Sequence, residues 1–150
     1  MDDADKRILR TIQKQPELTM RELGEATGLS HTPCWRRLNR LKDEGYIAEK
    51  RYVLDAKKLG FEIVAFCLVQ LKAHSRESLE EFESQANKVP EVVQCYSATG
   101  DQDYILKVLA RSVQDYEETI KHKLLELPNV GAIRTSLALK EVKNSPDVPV

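Results

Sequence analysis

The amino-acid sequence predicts an α+β fold in two parts, a winged helix-turn-helix over residues 1–60 and a ferredoxin-like βαββαβ domain over residues 61–143. Helical repeats with capping signals fill the first part, whereas strand and helix patterns alternate in the second. The first part holds 13 Lys and Arg against 10 Asp and Glu, and the remainder of the chain holds 10 against 14. A basic front half predicts a polyanionic partner. Residues 144–150 contain two prolines and predict a loose tail.

Composition narrows the class of protein. Of the 150 residues, 41% are hydrophobic and 31% are charged, which is typical of a globular chain rather than a disordered one. The longest apolar run, residues 63–69, is far shorter than the roughly 20 residues of a membrane-spanning helix. The acidic start, Met1 to Asp5, does not resemble a secretory signal. Three separated cysteines without a C-x-x-C pair favour neither disulfides nor a zinc site, so we expect a cytoplasmic protein.

The first helix is predicted over residues 2–15. Ile8, Leu9 and Ile12 recur at helical spacing and give it one apolar face. Pro16 cannot continue a helix and ends the segment.

The second helix is predicted from its start and stop signals. Thr19 and Glu22 have the spacing of a capping box, in which each side chain accepts a hydrogen bond from the backbone N–H of the other residue. Leu18 and Leu23 are placed to pack together over this box. Gly28 is suited to the left-handed conformation that ends many helices.

The third helix is predicted to begin at Ser30, with Pro33 in its first turn, where a missing N–H costs little. Cys34, Leu38 and Leu41 recur at helical spacing and predict its buried face.

Beyond the third helix, which Gly45 should end, the pattern becomes strand-like. Residues 46–54 predict two short strands that form a small wing, and residues 55–60 predict a charged connector. We therefore place the domain boundary near residue 60.

The second half predicts a split βαβ arrangement. Its sheet should pack one face on two helices and leave the other face uncovered, which predicts self-association. Strands are expected at 63–71, 92–98, 104–110 and 133–139, and helices at 75–89 and 112–127.

Two helices joined by a turn, the second rich in arginine, are typical of a DNA-binding helix-turn-helix. Residues 31–42 contain four basic residues and no acidic one. We expect this cationic side to be open to solvent and to fit a groove of the duplex, where positive charge and the helix N-terminus attract phosphate. The candidate DNA contacts are Ser30, His31, Thr32, Trp35, Arg36, Arg37, Arg40 and Lys42.

Some of these assignments have structural alternatives. A run of basic residues is often no more than a solvated helix face. Arg37 could clamp the third helix to its neighbours, and Trp35 could pack on its own domain instead of meeting DNA.

The segment L-S-H-T-P-C-W-R-R-L-N-R-L, residues 29–41, resembles the recognition helix of the Lrp/AsnC family of transcriptional regulators, which carries L-S-x-T-P-C followed by an arginine. The resemblance continues through Gly45-Tyr46-Ile47 and extends to about residue 144. It implies a regulator that binds double-stranded DNA, with a second domain of the RAM/ACT-like type. It also implies a homo-oligomer in which dimers form through paired sheets and commonly assemble further, often to octamers.

A second motif, Gly100-Asp101-Gln102-Asp103-Tyr104, resembles the G-D-[FY]-D-Y loop of the same family. In the family, amino-acid effectors bind between dimers, at subunit interfaces beside this loop. Its residue types suit a zwitterion, because glycine lets backbone N–H groups approach a carboxylate and an acidic pair can receive an ammonium. The alternative is a β-turn whose glycine and aspartates serve the turn alone. The candidate effector contacts are Thr99, Gly100, Asp101, Asp103 and Tyr104, and Thr135 on the last strand.

Gln102 departs from the aromatic residue of the family pattern and leaves the identity of the effector open. No catalytic, metal or cofactor motif is present in the sequence, so we expect no enzyme and no cofactor. Two rival functions remain. One is an architectural DNA-binding protein without an effector, and the other is an amino-acid-sensing attachment of a metabolic enzyme.

Overall fold

The computed structural model describes residues 1–150 as two compact units. The first comprises residues 1–53 and 143–150, and the second comprises residues 54–142. The division therefore falls before residue 60, because the connector 54–60 belongs to the second unit. Neither unit contains a helix that is long and apolar enough to cross a membrane.

Three helices form the first unit: α1 (Asp3–Lys14), α2 (Met20–Thr27) and α3 (His31–Asp43). Each has an apolar face turned towards a common core, as the helical spacing predicts. Burying that face stabilises a short helix far more than its own propensity does. The buried apolar residues of this core are Ile8, Leu9, Leu23, Cys34 and Leu41.

The capping signals of α2 are confirmed. The Thr19 hydroxyl accepts a hydrogen bond from the Glu22 N–H at 3.3 Å, and the Glu22 carboxylate accepts one from the Thr19 N–H at 2.8 Å. Leu18 packs against the core that contains Leu23. Gly28 ends the helix with φ of 69°, in the left-handed region that favours glycine.

The two wing strands predicted over residues 46–54 do not form, and this segment contains no regular secondary structure. The β-branched and aromatic residues that suggested strands are largely exposed, with Tyr52 at 89% and Val53 at 78%. An isolated hairpin is barely stable in water unless it packs against a core. The strand-like composition of this segment was therefore misleading.

The prediction of a loose tail is also wrong. Residues 143–150 belong to the first unit, where Val150 packs against the helical core. The Gln13 side chain donates to the Val148 carbonyl at 3.2 Å and accepts from the Val148 N–H at 2.7 Å. These contacts link residues 135 apart in sequence, and no local pattern signals them.

The second unit has the predicted order βαββαβ. Its elements are β1 (Ile63–Leu71), α4 (Arg76–Ala86), β2 (Val92–Ser97), β3 (Tyr104–Ala110), α5 (Val113–Thr119) and β4 (Val130–Leu137). The four strands form one sheet in the order β2-β3-β1-β4, and every neighbouring pair is antiparallel.

Two elements near the end of this unit differ from their predicted bounds. α5 gives way to a single π-helical turn, Ile120–Leu124, instead of continuing as α-helix to residue 127. β4 begins at Val130, three residues earlier than predicted, and follows Asn129, which has φ of 62°. Pairing of Ala132 with Gln70 and of Val130 with Leu71 extends the strand across Gly131, where the register shifts, although glycine and alanine are poor strand formers on their own.

The two faces of the sheet differ as the sequence predicts. Alternate residues of β1 and β3 are buried against the helices, where Phe82 and Leu124 complete the core. The opposite face leaves large apolar side chains in solvent, among them Phe66 at 41% and Tyr96 at 59% exposed. An exposed apolar face of this kind is typical of a surface that associates with another chain.

Candidate nucleic-acid interface and effector loop

The amino terminus of α3 has features suited to an anion. Ser30 has the extended backbone of a helix N-cap, yet its hydroxyl makes no capping hydrogen bond. The side chains of Ser30, His31 and Thr32 are exposed. Because no side chain caps the first turn, its N–H groups keep unused donor capacity at the positive end of the helix dipole.

The outward face of α3 continues from this turn. Trp35 is 52% exposed and is not among the residues packed in the helical core. Arg36 is exposed and forms no ion pair, and Lys42 is likewise exposed and unpaired. The opposite face is buried as predicted, because Cys34 and Leu41 have no exposed surface.

Two of the predicted cations on α3 are held by carboxylates at the start of α1, those of the N-cap Asp2 and of Asp5. The Arg37 guanidinium lies 2.7 Å from the Asp2 carboxylate and 2.9 Å from the Asp5 carboxylate. Arg40 lies 2.6 Å from Asp5, whose side chain is only 1% exposed. The side chain of Arg37 is 26% exposed and that of Arg40 is 46% exposed. The expectation of a uniformly open cationic face is therefore only partly met.

These contacts shift the pKa values of the groups involved. The Asp5 N–H and the Arg37 guanidinium lower the pKa of Asp2 to about 2. Burial alone would raise the pKa of Asp5, but the Asp2 N–H, Arg37 and Arg40 together outweigh burial and lower it. Hydrogen bonds to Asp2 and Asp5 raise the pKa of Arg37. Asp2, Asp5 and Arg37 are therefore all charged at neutral pH.

Three arginine side chains, Arg36, Arg37 and Arg40, line a pocket of about 170 Å³ on the surface of α3. A water molecule occupies about 30 Å³ in the liquid, so this space is large enough for a small oxyanion. Guanidinium groups bind phosphate oxygens through paired N–H donors, so the chemistry of this lining suits an oxyanion.

The loop of the second motif presents its first half to solvent. Thr99, Gly100 and Asp101 are exposed, and the Asp101 carboxylate has no partner within the chain. Gly100 has φ of 105°, which L side chains rarely adopt, and so glycine is required here. A backbone hydrogen bond of 2.8 Å from the Ala98 N–H to the Asp103 carbonyl closes the loop.

The second half of the loop is held by internal contacts. The Asp103 carboxylate accepts a hydrogen bond from the Leu71 N–H at 2.7 Å and lies 2.9 Å from the His74 ring nitrogen. The Leu71 N–H and His74 together outweigh partial burial and lower the pKa of Asp103. Asp103 therefore joins the loop to the end of β1.

Tyr104 is 2% exposed and belongs to the core. Its hydroxyl donates to the Glu83 carboxylate at 2.7 Å, and its ring lies 4.5 Å from that of Phe82. Burial and the negative charge of Glu83 raise the pKa of Tyr104. Thr135 lies on β4, opposite Cys67 of β1. It is hydrogen bonded to the Tyr116 hydroxyl at 2.6 Å and not to any residue of the loop.

Sequence reasoning missed four residues that hold these two sites: Asp2, Asp5, His74 and Glu83. Asp2 and Asp5 have the spacing of a capping box, and that box is present at the start of α1, so a local signal for part of their role existed. Their partners on α3 lie 32 to 35 residues away. No spacing rule connects residues that far apart.

Comparison with known proteins follows the same division of the chain. Residues 1–48 match the winged helix-turn-helix DNA-binding model, and residues 64–148 match the Lrp/AsnC ligand binding domain. The chain is 33% identical to the transcriptional regulator AzlB of Bacillus subtilis over 150 residues, covering 100% of this chain and 96% of the relative. It is 36% identical to the proline dehydrogenase transcriptional activator of Rhizobium radiobacter over 145 residues, covering 97% and 93% of the two chains.

Solved structures agree with the fold. A transcriptional regulator from Neisseria meningitidis, crystallised as a complex with L-Met, superposes with a TM-score of 0.94 at 30% identity. The match covers 99% of this chain and 96% of that one. The chain belongs to the Lrp/AsnC family of transcriptional regulators. It combines a helix-turn-helix DNA-binding unit with a ligand-binding domain of that family.

Proposed function

We propose that this regulator binds specific double-stranded DNA through the exposed face of α3, in the cytoplasm and without a catalytic step. The observation that carries the proposal is the outward, unpaired arrangement of Thr32, Trp35 and Arg36 next to an uncapped helix N-terminus. In a helix-turn-helix protein, the amino-terminal residues of the second helix reach base edges in the major groove.

The proposed contacts divide into two kinds. Arg36, Arg40 and Lys42 supply positive charge for the phosphate backbone, and arginine can also read guanine through two parallel hydrogen bonds. Arg37, held by two carboxylates, mainly fixes α3 against α1 and completes the lining of the arginine pocket. The residues proposed to meet base edges or phosphates at the helix start are Ser30, His31, Thr32 and Trp35.

The proposed active species is a homo-oligomer built from dimers. The uncovered sheet face, with Phe66 and Tyr96 exposed, supplies a surface that two subunits could bury together. A two-fold dimer would place its recognition helices on half-sites about 10 base pairs apart or a multiple of that spacing. Assembly of dimers to an octamer would follow the usual arrangement of the family.

Binding to DNA can be tested with duplexes selected from a random pool by the full-length chain. Affinity for a selected duplex should fall as salt rises, with a slope in log–log form of about −0.9 for each phosphate neutralised. Arg36→Ala should weaken binding at least fivefold and reduce the slope by about 1.

Arg76→Ala is the matched control, because Arg76 is an exposed arginine on α4, outside the helix-turn-helix, that pairs only with Glu80. It should leave both quantities unchanged. Equal effects of the two substitutions would contradict a specific role for the α3 face, and failure to select any duplex would contradict the proposal as a whole.

We further propose that a small amino acid binds at the exposed half of the loop. Gly100 would allow backbone N–H groups to approach the effector carboxylate, and the unpaired Asp101 carboxylate would receive its ammonium. Thr99 would contribute a hydroxyl, while Asp103 and Tyr104 would shape the site through their internal hydrogen bonds. The match to a ligand-binding domain and the L-Met complex of the Neisseria meningitidis regulator support this class of ligand.

A thermal-shift screen of the common amino acids, with and without DNA, tests this second proposal. A ligand at 100 times its dissociation constant stabilises the native state by about 2.7 kcal/mol. Asp101→Asn should abolish the shift. Glu81→Gln, which also removes one exposed carboxylate from the second unit, should retain it.

A flat response across the panel would favour the effector-independent architectural protein. Two observations support that alternative. The Asp103 carboxylate is already engaged by Leu71 and His74. Gln102 also replaces the aromatic residue of the family loop.

A further inference from the structure

The Asp5 carboxylate connects the start of α1 to the arginines of α3. Its side chain is 1% exposed and accepts hydrogen bonds from three donors. These are the Asp2 N–H at 2.9 Å, Arg37 Nη1 at 2.9 Å and Arg40 Nη2 at 2.6 Å. A buried carboxylate with this many charged and neutral donors is fixed in place, and so are the groups bound to it.

The two arginines bound to Asp5 differ in how accessible their guanidinium groups remain to an anion outside the protein. Arg37 lies between two carboxylates, Asp2 and Asp5, and keeps 26% of its side-chain exposure. Arg40 is hydrogen bonded to Asp5 alone, since Glu44 is 3.8 Å away, and it keeps 46%. A guanidinium carries five N–H donors in a rigid plane. Arg40 can therefore hold Asp5 through Nη2 and still present other N–H groups to an anion outside the protein.

Arg40 and Arg36, one helical turn apart, both line the arginine pocket on α3. Arg36 has no partner in the chain to restrict it, whereas Arg40 is anchored to the buried Asp5. Anchoring a side chain before binding removes part of the entropy lost on complex formation and limits the positions that its ligand can take. A DNA phosphate in this pocket would therefore be held at one place relative to α3.

We propose that Asp5 is a positioning residue for DNA recognition: it orients Arg40 so that Arg40 and Arg36 hold one backbone phosphate at a fixed position and thereby set the register of α3 in the groove. This inference rests on the proposed binding of DNA by α3. Asp5 itself does not touch the nucleic acid. Its effect is on selectivity, because an Arg40 released from Asp5 could contact phosphates in many arrangements and on any sequence.

The test uses the full-length chain with two duplexes of equal length, one selected by the natural protein from a random pool and one with its sequence scrambled. The measured quantity is the ratio of the two affinities. Asp5→Asn should lower this ratio at least tenfold, while the affinity for the scrambled duplex stays the same or rises. Asp2→Asn is the matched control, because it removes only one of the two carboxylates of Arg37, and it should change the ratio by less than threefold.

A double-mutant cycle separates positioning from a general effect on the fold. In an Arg40→Ala background, Asp5→Asn should produce no further loss of the ratio, because Asp5 acts through Arg40. An equal further loss in that background would overturn the proposal. Binding is measured well below the melting temperature of each variant, which circular dichroism establishes.

If Asp5→Asn does not fold, Arg40→Lys replaces it in the test. Lysine keeps the charge but lacks the planar fork, so it cannot hold Asp5 and a phosphate in the same arrangement. The ratio should again fall at least tenfold, and an unchanged ratio would overturn the proposal. Selection of no duplex by the natural chain would overturn the proposed function and this inference together, whereas selection without any change in the variants would overturn the inference alone.

Discussion

The outward face of α3 and the 99–104 loop each carry a family motif, but their side chains are used in different ways. On α3 the exposed motif residues, such as Thr32 and Arg36, lack protein partners, and buried residues hold the helix in place. In the loop, by contrast, the side chains of Asp103 and Tyr104 are hydrogen bonded within the protein itself. Matching a motif therefore does not make every one of its residues a ligand contact, since some of them only build the surface that others present.

The largest expected effect on stability concerns the two aspartates of the loop. Asp103→Ala leaves the Leu71 N–H without its acceptor and should lower the free energy of unfolding by about 1–3 kcal/mol. Asp101→Ala removes an exposed, unpaired side chain and should change it by less than about 0.5 kcal/mol. Denaturant unfolding measures both. Equal losses would show that the two halves of the loop are not used differently.

A smaller effect is expected at Tyr104. Tyr104→Phe removes the hydroxyl that donates to Glu83 while keeping the packed ring, and should cost about 1 kcal/mol in unfolding free energy. Tyr96→Phe, on the exposed face of the sheet, is the matched control and should cost almost nothing in the isolated subunit. A Tyr104→Phe variant as stable as the natural chain would remove Tyr104 from the set of residues that build the loop.

Two helix N-caps give a similar contrast in the first unit. Thr19 makes its capping hydrogen bonds, so Thr19→Ala should destabilise the unit by about 1 kcal/mol without weakening DNA binding. Ser30 makes none, so Ser30→Ala should change stability by less than about 0.5 kcal/mol yet weaken DNA binding. Unfolding and DNA titration of the same two variants check both halves of the prediction. A Ser30→Ala variant with natural affinity for DNA would contradict a role of this cap in binding.

The carboxylates of α1 predict a modest acid dependence. Because the pKa of Asp2 is lower in the folded chain than in the unfolded one, its contribution to stability is present above about pH 4. It is lost as the pH falls towards 2. The difference in unfolding free energy between the natural chain and Asp2→Asn should therefore shrink between pH 4 and pH 2. A difference that stays constant over this range would show that the contacts of the Asp2 carboxylate, with the Asp5 N–H and with Arg37, do not contribute.

The elements that the sequence predicts well are those with local signals. The capping box of Thr19 and Glu22, the left-handed Gly28 and the buried face of Cys34 and Leu41 are read from residues three or four positions apart, and all are confirmed. The order βαββαβ and the exposed apolar sheet face follow from equally short periods.

The features that were missed depend on residues far apart in the chain. The contacts of Asp5 with Arg37 and Arg40 span 32 and 35 residues, and that of His74 with Asp103 spans 29. The early start of β4 reflects pairing with β1, not its own composition. The missing wing strands show the opposite case, in which the composition favours strands but no partner is present. Residues with high strand propensity there remain without regular structure because they have nothing to pack against.

Contact between the exposed face of α3 and DNA can be measured through Trp35, the only tryptophan in the chain. Its ring is 52% exposed and lies on that face, so acrylamide should quench its fluorescence readily in the unbound protein. Saturation with a selected duplex should reduce the quenching constant at least twofold, while a duplex that is not bound leaves it unchanged. An unchanged quenching constant in a complex whose formation is verified by anisotropy of labelled DNA would contradict this contact.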